Sequence, residues 1–139
     1  MILDEIMIFK DLPLWVSKRL SLVTKNFENT DYEFYLQSLT LDRKDSEGHS
    51  GVAFFLTHKD FIKVGFTRKF ITVEKTKLSD LVKVVKNICL PIEDTFNDQD
   101  VKWQLVQLIF SDNSNIVINP PLIDSAGNLE AYKNFISKL

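Results

Sequence analysis

Cysteine is almost missing: Cys89 is the single one in 139 residues. One thiol cannot close an intramolecular disulfide, and such sparing use fits a reducing compartment. Histidine is nearly as scarce, with only His49 and His58. Without a second cysteine and without an H-x-x-x-H or H-x-x-E pattern, the usual zinc ligand sets have no source. Glycine numbers only four, which argues against a disordered chain. A phosphate-binding glycine loop is also lacking. EGHSG at 47–51 is nearest, and it has neither the lysine nor the strand-to-helix setting. No apolar run approaches the ~20 residues that a membrane-spanning helix needs. MILDEIMIFK at the start carries Asp4 and Glu5 where a secretory leader would be basic. These absences lead to the expectation of a soluble, cytoplasmic protein with no membrane partner.

What is present is apolar bulk. The chain is 45% hydrophobic and has eleven phenylalanines, enough for a packed core without metal or disulfide. Its length suits one domain, 1–139. Apolar residues at three- and four-residue steps predict helices over 11–27, 78–90 and 129–139. In the first, Asp11 is the candidate N-cap; in the second, Leu81, Val84, Val85 and Ile88 form the stripe, with Pro91 as terminator. Alternating or short apolar runs predict strands over 31–41, 51–57, 61–66, 69–75, 101–110 and 115–119. The expected fold is α+β: one mostly antiparallel sheet of five to six strands, helices on one face, order α-β4-α-β2-α.

Charge is small overall, −2, but uneven. Residues 59–77, KDFIKVGFTRKFITVEKTK, hold Lys59, Lys63, Arg68, Lys69, Lys75 and Lys77 against Asp60 and Glu74. The flanking segments are both net acidic, so this is a cationic island in an anionic chain. Phenylalanines 61, 66 and 70 interleave with the cations, the mixture that single-stranded nucleic acid uses for phosphate contact and base stacking. Strand alternation places Phe66 with Ile62 and Val64 in the core and leaves Phe61 and Phe70 as stacking candidates. The acidic pI of about 5.7 argues against nucleic acid. A second patch, the acidic stretch 91–100, holds Glu93, Asp94, Asp98 and Asp100. It lacks the EF-hand spacing and reads as a solvated loop or a protein-docking surface, and no metal is assigned to it.

Catalytic groups are few. His49 lies near Ser46 and Ser50, but Ser50 lacks the nucleophile-elbow context. Both histidines read as turn residues. Cys89 reads as an inert core thiol at the end of the second helix, away from the helix start that would activate it. The expectation is therefore a non-enzymatic, cofactor-free protein-binding module. Inhibitors fit this profile, among them bacterial immunity proteins that neutralise nuclease toxins with carboxylates in place of phosphates. Nucleic-acid binding through 59–77 is the alternative.

Overall fold

The computed structural model describes residues 13–27, 30–40, 49–92, 97, 102–121 and 126–139. Asp11, the proposed cap, falls outside them. The structure is of mixed α and β class, with two antiparallel sheets of four and three strands and, among the described residues, two α-helices. It gathers into two compact units, Met1–Leu78 and Ser79–Leu139. Among the described residues, two sheets holding seven strands thus stand in place of the expected single sheet of five to six strands.

In the first unit, α1 spans Leu14–Thr24 and runs into a 3-10 turn, Lys25–Phe27. Pro13 stands at its N-cap, where a residue without an N–H costs no hydrogen bond, and its carbonyl accepts from the Val16 and Ser17 amides. Val16, Leu20 and Val23, spaced by four and three, are buried. They pack with Tyr32 on one face of the sheet, against Ala53, Phe55, Ile62, Val64 and Phe66. Full burial of each such aliphatic side chain contributes about 1.5–3 kcal/mol.

The sheet is a meander, β1 (Glu33–Thr40), β2 (Ser50–Leu56), β3 (Asp60–Thr67) and β4 (Ile71–Lys77), paired in that order. Four-residue turns, Thr57–Asp60 and Thr67–Phe70, join β2 to β3 and β3 to β4, and both are built on a threonine. The Thr57 hydroxyl accepts from the Asp60 amide at 3.0 Å, and the Thr67 hydroxyl from the Phe70 amide at 3.0 Å. In each turn the threonine amide also donates to the carbonyl of the fourth residue. The face opposite α1 is not the mixed surface that alternation suggests: Tyr35, Phe54 and Phe61 on it are all buried. Phe61 lies 5.6 Å from Phe54, which removes it from the stacking candidates.

Gly51 matters to this packing. It pairs with Phe66 across β2 and β3, and a Cβ placed on it would meet the Phe66 ring, with Cε2 at 2.8 Å, and the Ser38 carbonyl at 2.9 Å. Glycine is needed here for room.

In the second unit, a 3-10 turn at Leu78–Asp80 leads into β5 (Leu81–Cys89), then β6 (Lys102–Phe110) and β7 (Asn115–Ile118) in the order β5-β6-β7. The helix expected over 78–90 is therefore a strand. Val82, Val84, Val85 and Ile88 are β-branched and stiff at χ1, which suits a pleated strand, and β5 pairs along β6 from Leu81 to Cys89 with two register shifts. Cys89 is exposed, because the end of an edge strand, not an apolar helix stripe, carries it. The β6–β7 turn uses Asn113 at φ 67, a left-handed conformation that asparagine tolerates. The following helix, α2, spans Ala126–Ile136. Val106, Leu108, Phe110, Ile118, Tyr132, Phe135 and Ile136 are buried. The Tyr132 hydroxyl ties α2 to the sheet by donating to the Gln104 carbonyl at 2.7 Å. Burial pushes that phenol up to about 12. Among the described residues no helix is long and apolar enough to cross a membrane.

Two outcomes follow for stability. Gly51→Ala should lower the unfolding free energy by about 1–3 kcal/mol through overpacking. Gly65→Ala, where an added Cβ meets nothing within 4 Å, should change it by less than about 0.5 kcal/mol. Denaturant titration separates them. Because the folded phenol of Tyr132 titrates above its ordinary value, its share of stability is complete below about pH 10 and is lost as pH rises towards 12. Tyr132→Phe should flatten that part of the stability curve, as read by denaturant titrations at stepped pH.

Candidate cationic cleft

The six cations of 59–77 do not form one patch. Lys59 sits in the β2–β3 turn and Arg68 and Lys69 in the β3–β4 turn, at opposite ends of an eight-residue strand on the order of 25 Å long. Lys75 pairs with Asp60 at 3.5 Å, a surface ion pair worth about 0–1 kcal/mol. Lys63 stands opposite Glu74, and Lys77 opposite Asp60. Four of the six thus lie beside carboxylates or at the far end of the sheet. Glu93, Asp94, Asp98 and Asp100 lie outside the described residues.

The fold instead brings Arg68 and Lys69 to α1. Arg19, on the first helix, donates from Nε to the Thr67 carbonyl at 2.9 Å and from one terminal nitrogen to the Trp15 carbonyl at 2.7 Å. Its other terminal nitrogen donates to the Arg68 carbonyl. A single planar guanidinium so fastens the helix to the β3–β4 turn, a task that lysine's point charge cannot repeat. Beneath it, Trp15 packs edge-on to Phe66, ring centroids 5.9 Å apart. The guanidinium carbons of Arg19 and Arg68 lie 5.3 and 5.1 Å from the Trp15 ring centroid, within cation–π range. His49 stacks on the same ring at 5.5 Å, and its Nδ1 accepts from Arg68 Nε at 3.1 Å. His49 is therefore part of a cation–aromatic stack, and His58 is exposed in the β2–β3 turn. Among the described residues no three His, Cys, Asp or Glu side chains are placed to hold a metal ion.

Beside this stack opens a cleft of about 230 Å³ lined by Lys18, Arg19, Leu22, Arg68, Lys69, Phe70 and Ile71. Among the described residues its charged members are cations. Two of its apolar members stand out to solvent: Leu22 is 55% and Phe70 72% exposed. Of the two phenylalanines that alternation leaves outside the core, Phe70 alone is available to a partner. Lys18, Arg19 and Leu22 were not legible as site residues, because the segment that completes the site is 48 residues away. The one local signal was that Lys18 and Leu22 lie four apart, off the stripe of Val16, Leu20 and Val23.

No protein-family model, curated protein or solved structure matches the chain.

Arg19→Lys should lower stability by about 1–3 kcal/mol, since it leaves backbone carbonyls of the β3–β4 turn without their charged donor. Lys18→Met on the exposed side of α1 should stay within about 0.5 kcal/mol. Denaturant midpoints of the two variants provide the comparison.

Proposed function

We propose that the chain is a protein-binding module that docks an acidic partner on the cationic cleft between α1 and the β3–β4 turn. The supporting observation is the composition of that cleft. Among the described residues that line it, cations from two distant parts of the sequence converge beside solvent-exposed apolar side chains. Clustered charge of one sign speeds encounter with an oppositely charged surface and fixes its orientation. Apolar side chains exposed at the centre of such a patch supply the burial that holds the complex.

An inhibitor of immunity type is a narrower form of this reading. Neutralising a nuclease in that way would use the acidic stretch 91–100 as a phosphate mimic, and the cationic cleft suits an acidic partner instead. The cleft therefore supports the binding module in general and adds nothing to toxin neutralisation. Nucleic-acid binding is served less well, because the faces of Trp15 are already taken by His49 and two guanidinium groups.

A photo-crosslinking residue at position 70, introduced into the chain in its native cell, should capture one protein in a defined ratio. Lys18→Glu, at an exposed position of α1, should weaken the capture strongly while leaving the melting temperature in place. Capture that survives charge reversal, or adducts made with RNA or DNA alone, would contradict the reading.

A further inference from the structure

The cleft is shaped as well as charged, and its lining side chains are of two kinds. Leu22 from α1, Phe70 from the β3–β4 turn and Ile71 from the start of β4 supply hydrocarbon; Lys18, Arg68 and Lys69 add positive charge to the lining. Its volume, about 230 Å³, is smaller than the 300–1,000 Å³ usual for sites that enclose a whole small molecule, as a rough scale. It is of the size that takes one bulky side chain. We propose that this cleft receives a single large apolar side chain, such as leucine or phenylalanine, from an acidic peptide segment of the partner. The inference rests on the docking face proposed above and names the chemistry it selects.

Three features favour such a segment. Leu22 and Phe70 are more than half exposed, so covering them with hydrocarbon is favourable, while a purely acidic chain would leave them wet. Among the described residues the charged side chains that line the cleft are cations, so aspartate or glutamate beside the anchor residue meets complementary potential. Arg19 is committed to three backbone carbonyls, which makes the wall beneath the cleft rigid and lowers the cost of ordering it on binding. A nucleic acid would need several open ring faces for successive bases. Here Phe70 offers one, and Trp15 is already stacked.

The test uses the full chain and fluorescence anisotropy at about 50 mM salt, where charge contacts are strong. The probes are a short Asp/Glu-rich peptide with one central leucine, the same peptide with serine in its place, and oligothymidine. The leucine peptide should bind at least about tenfold tighter than the serine peptide, the factor expected for burying one such side chain. Phe70→Ala and Leu22→Gln, both at exposed positions, should each erase most of that difference and leave the circular dichroism spectrum unchanged. Equal binding of the two peptides, with both weakened by Lys18→Glu, would overturn the anchor pocket and leave the cationic docking face standing. Binding of oligothymidine alone, or of no probe, would overturn both.

Discussion

The contact on which the first unit turns is the Phe66 ring lying over Gly51. With a side chain at position 51 the ring could not lie there, and the edge-on contact of Trp15 with Phe66 would lose its seat. Trp15 in turn carries the charged layer of Arg19, Arg68 and His49. A small residue in β2 so determines how closely α1 approaches the sheet, and that approach determines where Arg19 can reach the β3–β4 turn. The cleft is a consequence of this order. Its apolar lining exists because Leu22 of α1 and Phe70 of the β3–β4 turn are brought side by side, each on the solvent side of its own packing.

Charge in this molecule is organised by topology more than by sequence neighbourhood. The cationic run 59–77 is cut into separate pieces by the meander, since a strand of eight residues holds its two ends far apart and places neighbours such as Lys63 and Glu74 across from each other. The remaining local excess at the β3–β4 turn gains Lys18 and Arg19 from a helix almost fifty residues earlier. A charge average along the chain marks the right neighbourhood but not the right residues.

Much of the strand pattern could be read directly. Ile62, Val64 and Phe66 alternate with Phe61, Lys63 and Gly65, a period that only a strand uses, and β3 spans Asp60–Thr67. The turns were legible as polar breaks, although their shared threonine geometry was not. LSDLVKVVKNICL was misread because its valines and lysines satisfy a helical period and a strand equally; the β-branched content was the better guide, and pairing with β6 decided it. That misreading also carried Cys89 into a core it does not occupy. The buried aromatic face of Tyr35, Phe54 and Phe61 was hidden for another reason: periodicity says which residues share a face, not whether the face is covered. Of the site, Arg68, Lys69 and Phe70 were legible as a cationic-aromatic run. Lys18, Arg19 and Leu22 depend on a long-range contact that no local pattern encodes.

The most direct measurement is a map of backbone amide shifts by NMR during titration with the leucine-bearing acidic peptide. Shifts that concentrate at residues 18–22 and 67–71, saturating together, are the result expected if the cleft between α1 and the β3–β4 turn is the docking site. Shifts centred on β5, β6 and β7, or spread thinly over both units, would contradict it.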